Sequence, residues 1–194
     1  MQKIILATKS PYRKEAFTNL ELDFVCEGSE VEESFPERPS DPKKLVLELA
    51  KRKAEFVAKN HKEGIVIGFD SIGWFNGKVL EKPKNWQESF ERIRELSGKT
   101  HYFYTGIHII NIEKNLTKSE ISETEITLRE ITDKEIEKYL NQDPNFNTYA
   151  IGFDPLGHYS MSFAISINGS YNNYLRGIPL ELILKLLKEA EYKI

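Results

Sequence analysis

The chain predicts an α/β fold built on a mixed sheet. Two observations carry this. Apolar runs of strand length, residues 3–7 and 65–69, alternate with segments of helical period. Two long β-branched and aromatic runs, residues 100–112 and 122–128, then follow each other around Lys114-Asn115. The alternation calls for parallel strands with helical crossovers, and the adjacent runs call for an antiparallel pair in the same sheet.

Residues 3–7 read as a buried strand. A helix follows over residues 12–20, with Ser10 as N-cap and Pro11 suited to the first helical position. Residues 21–34 read as strand and acidic loop, and Pro36, Pro39 and Pro42 mark a surface connection. Asp41 caps a second helix with Leu45, Leu49, Phe56 and Val57 as its apolar positions and Gly64 as its stop. Residues 65–69 form a continuous apolar run, a buried strand that ends at Asp70. Asn76-Gly77 turns a hairpin between residues 72–75 and 78–80. Asn85 and Glu88 have capping-box spacing and open a helix that ends near Leu96, before Gly98. Thr132 and Glu135 open another helix in the same way. Residues 141–162 are rich in loop residues, 163–167 read as a strand, and 179–190 as a closing helix.

The length, 194 residues, suits one domain or two closely merged lobes. A hydrophobic fraction of 40% supports a packed core. Charged residues are 29% of the chain and the net charge is −3, which excludes a dedicated nucleic-acid binder but leaves room for a local basic pocket. The single cysteine, Cys26, cannot form an intrachain disulfide and fits a reducing compartment. Its strand reads as apolar, so Cys26 is expected to be inert packing. The N-terminal apolar run is too short for a signal peptide or a membrane span, so a cytoplasmic protein without a membrane partner is expected.

Candidate chemistry begins at the first strand-to-helix turn. Arg13 and Lys14 fall in the first turn of a helix, where the macrodipole is already positive. Cations there are electrostatically misplaced unless an anion joins them, and that conflict at a helix start capped by Ser10 is a first hint of a phosphate site. Asp70 stands where ligands bind in open α/β sheets, beyond the carboxyl end of a strand. By itself the position favours the plainer reading, a strand-end Asp making a turn with Ser71. Glu30, Glu32 and Glu33 form an acidic group; Glu30 and Glu32 read as solvated, while Glu33 is open to cation binding with a carboxylate from another segment. Lys82, beside the rigid Pro83, is a surface lysine unless a phosphate lies within its reach. Lys53 lies on or beside the apolar stripe of the second helix, which calls either for snorkelling or for an anionic ligand. His61, His101, His108 and His158 have no metal-ligand spacing, and no GxGxxG, P-loop or GxSxG motif is present.

Individually these signals are weak. In order, they resemble the Maf-like nucleotide pyrophosphatases. The segment Leu6-Ala7-Thr8-Lys9-Ser10-Pro11-Tyr12-Arg13-Lys14 is similar to the family's N-terminal strand, Ser-Pro-x-Arg-Arg and helix. Glu32-Glu33 stands at its Asp-Glu, and Leu49-Ala50 with Lys53-Ala54 at its Leu-Ala-x-x-Lys-Ala helix. Ile67-Gly68-Phe69-Asp70-Ser71 is similar to Ile-Gly-Ala-Asp-Thr, and Gly77 with Lys82-Pro83 to Gly-x-x-x-x-Lys-Pro. Leu96-Ser97-Gly98, His101, Thr105-Gly106, Gly169 to Asn173 and Gly177-Ile178-Pro179-Leu180 continue the series.

The resemblance implies an elongated mixed α/β sheet with flanking helices, akin to the inosine triphosphatase fold. It implies a single domain over 1–194, two lobes around one cleft. Members hydrolyse nucleoside triphosphates between the α- and β-phosphates, with a divalent metal (Mg²⁺, Mn²⁺ or Co²⁺), and many are homodimers. Carried over by position, Asp70, Lys82 and Glu33 are catalytic, with Asp70 and Glu33 on the metal. Ser10, Tyr12, Arg13, Lys14, Lys53 and Ser71 bind substrate. Three positions depart from the pattern. Lys14 replaces an arginine and cannot make a bidentate fork. Residues 146–152 lack the family's Lys and Gln, and about ten extra residues follow, 153–162. Tyr12 is aromatic, as in the branch acting on 7-methylguanosine triphosphate, whereas the thymidine/uridine triphosphate branch has a basic residue. A nucleotide-binding or sensing protein of low catalytic power is the alternative that these departures allow.

Overall fold

A computed structural model describes residues 2–193. The elements run β1 (Ile4–Ala7), α1 (Pro11–Thr18), β2 (Phe24–Glu27), α2 (Pro42–Ala58), β3 (Ile65–Phe75), β4 (Lys78–Leu80), α3 (Trp86–Leu96), β5 (Thr100–Asn111), β6 (Leu116–Leu128) and α4 (Asp133–Gln142). Two short 3-10 turns (Phe146–Thr148 and Tyr159–Ser162), β7 (Ala164–Gly169), α5 (Tyr171–Arg176) and α6 (Leu180–Glu189) complete the chain. The strands form one seven-stranded mixed sheet in the order β2-β1-β3-β5-β6-β7, with β4 pairing with β3. β1 is parallel to both neighbours, Ile4 to Ala7 standing opposite Ile65 to Gly68 on β3. The β3–β4 and β6–β7 pairs are antiparallel.

Local chemistry sets the boundaries. Ser10 Oγ accepts from Arg13 N, Asp41 Oδ1 from Lys44 N, and Asn85 Oδ1 from Glu88 N. Thr132 and Glu135 form the expected capping box. Asn76 and Gly77 both have positive φ, 49° and 76°, as the hairpin turn requires.

Three expectations are corrected, and α5 is an element for which the sequence carried no expectation. β3 does not end at Asp70 but runs eleven residues, Ile65–Phe75, through Asp70 and Ser71. It is β1 that stops, opposite Gly68, so Asp70 projects past the end of a shorter neighbour. α2 ends at Ala58, not at Gly64, because residues 59–63 are all polar and offer no further apolar position, and Asn60 and His61 bond Glu27 at 2.6 and 2.7 Å. α5 is a six-residue polar helix too short to show a period; Ser170 Oγ accepts from Asn173 N to start it. Cys26 is exposed rather than packed, since β2 is an edge strand with only partly covered faces.

The chain divides into two compact units. The first comprises the residues up to Ser71, Tyr104–Ser122 and those from Arg176 on. Its sheet is packed on one side by Ile4, Leu6, Phe17, Phe69, Ile183 and Leu187, and on the other by Ile5, Ala7, Ala54 and Val57. Each of the larger of these side chains, Val, Leu, Ile and Phe, contributes about 1.5–3 kcal/mol when fully buried. The second comprises Ile72–Phe103 and Glu123–Leu175. Its core includes Ile93, Leu128, Ile136, Tyr139, Phe153 and Phe163. Residues 153–162, the extra segment, are packed: Phe153 is fully buried 5.3 Å from the Phe163 ring, and Asp154 N donates to Tyr139 Oη at 2.8 Å. Among the described residues no helix is long and apolar enough to cross a membrane.

Candidate active site

Seven of the residues singled out above lie in the first unit around the end of β1: Ser10, Tyr12, Arg13, Glu33, Lys53, Asp70 and Ser71. Strand alternation sorts them. Gly68 and Asp70 face α2, whereas Phe69 and Ser71 face α1. A Cβ on Gly68 would run into the Ala50 carbonyl oxygen, and one on Gly106 into that of Val46. Both glycines therefore let α2 lie flush on the sheet. That close approach brings Lys53, in the middle of α2, beside Asp70.

Lys53 Nζ donates to Asp70 Oδ1 at 2.6 Å and to Glu33 Oε1 at 2.7 Å. The side chains are 15% exposed for Lys53, 9% for Asp70 and 61% for Glu33. Lys53 is thus no snorkelling lysine; its charge sits over two carboxylates from separate segments. Burial pushes the Asp70 carboxyl above the usual carboxylate range, against the pull of Lys53 and Arg13, and Glu33 adds to the rise. A carboxylate so placed is a better proton acceptor than one in water.

Arg13 approaches from the other face. Its Nε donates to Gly177 O at 3.0 Å and its Nη2 to Ser71 Oγ at 2.7 Å, and the guanidinium lies 5.4 Å from the Phe69 ring centroid. Ser71 Oγ is in turn 2.6 Å from Thr105 Oγ1. Burial lowers the Arg13 pKa while Asp70 and Glu33 support the charge, so it stays a cation. Two of its five N–H donors are used in this anchorage, and the rest find no protein partner among the described residues. Ser10 N donates to Thr8 Oγ1, which fixes the turn into α1. The arrangement can grip an anion with a rigid fork and a point charge, next to a basic carboxylate.

The remaining candidates are placed differently. Tyr12 is half-buried with the Arg176 guanidinium 5.6 Å from its ring centroid. Lys14 is exposed, and its charge acts on the Cys26 thiol of β2 rather than on Asp70. Lys82 belongs to the second unit, exposed beside a buried Pro83. Thr105 and the Gly177 carbonyl had no role from sequence; Gly177, with φ 62° just before Ile178-Pro179, is the one signal of a shaped backbone there.

Asp70 and Glu33 fit a hard divalent cation in a limited way. Among the described residues no group of three or more His, Cys, Asp or Glu converges. Two carboxylates completed by waters and substrate phosphates are the donor set that Mg²⁺ takes, so the pair suits an ion held jointly with a ligand, not an all-protein cage.

Comparison with known proteins places the chain in a family. The family model described as Maf-like protein matches residues 3–190. A Bacillus cereus protein named dTTP/UTP pyrophosphatase is 37% identical over 200 residues, covering 100% of this chain and 98% of that one. A Bacillus mycoides protein of the same name is 38% identical over 192 residues, covering 98% and 97%. Among solved structures, the Staphylococcus aureus Ham1 protein aligns with a TM-score of 0.54 at 17% identity, over 97% of this chain and 100% of that one, a likeness of fold alone. With a family model matching residues 3–190 and relatives 37–38% identical over nearly all of its length, the chain belongs to the Maf-like protein family.

Proposed function

We propose that the chain hydrolyses a nucleoside triphosphate between the α- and β-phosphates, releasing the monophosphate and pyrophosphate. The observation that carries this is the pair of cations held at adjacent positions of β3 from its opposite faces, Arg13 on Ser71 and Lys53 on the buried Asp70. The names of the relatives support a pyrimidine substrate, dTTP or UTP. Tyr12 argues for testing 7-methylguanosine triphosphate as well, since an aromatic face suits a cationic base.

In this reading the free donors of Arg13 fork two phosphate oxygens. Lys53 adds a point charge, and Ser10 with the N–H groups opening α1 completes the cradle. Ser71 and the Gly177 carbonyl hold Arg13 in place, so little ordering is left for the reaction itself. Asp70 accepts the proton of the water that attacks phosphorus. Asp70 and Glu33 would hold a divalent cation such as Mg²⁺, Mn²⁺ or Co²⁺, which when bound supplies charge neutralisation on the phosphates and a more acidic water. Most of the rate gain comes from positioning and from cations aimed at charge that develops in the transition state.

The test is a panel of nucleoside triphosphates with each of the three metals, read as pyrophosphate. Pyrophosphate and monophosphate in equal amounts support the reading. Saturable nucleotide binding without product would favour a sensing protein on the same fold.

A further inference from the structure

Glu33 lies within residues 28–40, which form neither helix nor strand, and its carboxylate is largely exposed. A carboxylate on an irregular exposed loop loses backbone and rotamer entropy each time it is fixed. Its ion pair with Lys53 is by itself a weak tether. A second grip stands one residue away on the same helix. The Arg52 guanidinium carbon lies 3.6 Å from the Phe35 ring centroid, in stacking contact with the ring. Arg52 Nε is held from the other side by Glu48 Oε1 at 2.7 Å, one turn earlier in α2. Arg38 N donates to Phe35 O at 3.2 Å and closes a turn directly after the ring. Consecutive helical side chains diverge by about 100°, so Phe35 and Glu33 are caught at two azimuths of α2. Two such points resist sliding and rotation of the loop together.

We infer that the Phe35–Arg52–Glu48 clamp is a positioning device for Glu33, presenting its carboxylate beside Asp70 for a divalent cation. The inference rests on the proposed reading of Glu33 as a cation ligand. Phe35, Arg52 and Glu48 touch neither cation nor phosphate in it; they act through the loop. Arginine is required at position 52 because a planar guanidinium can stack on a ring and bond a carboxylate at once, which an ammonium cannot.

Two measurements on the full chain test this. Mn²⁺ titration in the presence of a non-hydrolysable α,β-methylene nucleoside triphosphate, followed by water-proton relaxation of the ternary complex, reads the cation site without turnover. Hydrogen exchange over residues 28–40 reads the loop without metal. Phe35→Ala and Arg52→Lys are expected to weaken Mn²⁺ binding by about tenfold, the low end for groups that orient a ligand. Both are expected to speed exchange in the loop, while Phe35→Tyr, which keeps the ring, behaves as the parent. Phe35→Ala added to Glu33→Gln should cost no further Mn²⁺ affinity. Unchanged exchange and unchanged Mn²⁺ affinity in Phe35→Ala, with Glu33→Gln weakened, would overturn the clamp and leave Glu33 as a ligand. Parent-like Mn²⁺ affinity in Glu33→Gln, or no Mn²⁺ binding by the parent, would overturn the reading of Glu33 and the inference with it.

Discussion

Replacing Lys53 by Met leaves Asp70 buried with Glu33 nearby and no ammonium between them. At 2.6 Å and an effective dielectric near 20, the lost attraction to Asp70 is about 6 kcal/mol before desolvation is set against it. Removing one partner of a buried pair costs about 3–5 kcal/mol net. The low end applies, because Asp70 can recover a proton and Glu33, 61% exposed, adds less than about 1 kcal/mol. About 3 kcal/mol is therefore expected at pH 8, or roughly 6–12 °C of melting temperature for a chain of this length. The sign with pH follows from linkage. Asp70 already holds its proton more tightly folded than unfolded, and loss of Lys53 strengthens that preference. Stability of the variant then falls as pH rises from the unfolded value through the folded one, so the penalty is smallest near pH 4 and largest at pH 8. Urea unfolding of Lys53→Met, Asp70→Asn and the double variant measures it, and the double variant should recover most of the loss, a coupling of about 2–3 kcal/mol. Additive effects at pH 8, or a penalty independent of pH, would mean that Lys53 and Asp70 do not form a coupled buried pair.

Asp70→Asn should lose about 10²–10⁴-fold in pyrophosphate release, the range for a general base, yet melt at or above the parent at pH 8, because it removes a carboxylate that folding disfavours; a lower melting temperature would contradict the burial argument. Gly68→Ala should cost more than about 1 kcal/mol and weaken turnover too, since its methyl meets the Ala50 backbone and lifts α2, with Lys53, off Asp70; denaturant midpoints and kcat/KM would fall together. His101, fully buried with both ring nitrogens unpartnered among the described residues, is held down to about 4 by burial, so stability is complete above its unfolded value near 6.5 and is lost as pH falls toward 4. That amounts to about 3 kcal/mol, and His101→Phe should flatten the stability profile between those pH values.

The fold was legible wherever one local signal agreed with the next. Caps at Ser10, Asp41, Asn85 and Thr132 stand where their side chains dictate, and the Asn76-Gly77 hairpin follows from two residues that tolerate positive φ. β3 was misjudged because Asp70 and Ser71 look like a strand end locally; the sheet carries them on, and only the shorter β1 exposes them. α5 carried no period, and Cys26 depended on β2 being an edge, which pairing alone decides. At the site, Lys53 beside an apolar stripe and Arg13 in a positive first turn were both anomalies, and both now touch partners. The partners themselves were hidden. That Lys53 spans Asp70 and Glu33 depends on how closely α2 lies against Gly68, and Arg13 is anchored by a backbone carbonyl 164 residues away.

In the proposed reaction Asp70 is the base for hydrolysis at the α–β anhydride. Turnover of UTP and dTTP in ¹⁸O-water, followed by ³¹P resonance of the products, tests it most directly. Uridine or thymidine monophosphate and pyrophosphate are expected in equal amounts, with ¹⁸O in one of them, and both forming about 10²–10⁴-fold more slowly with Asp70→Asn. Orthophosphate and a nucleoside diphosphate, or undiminished turnover by Asp70→Asn, would contradict it.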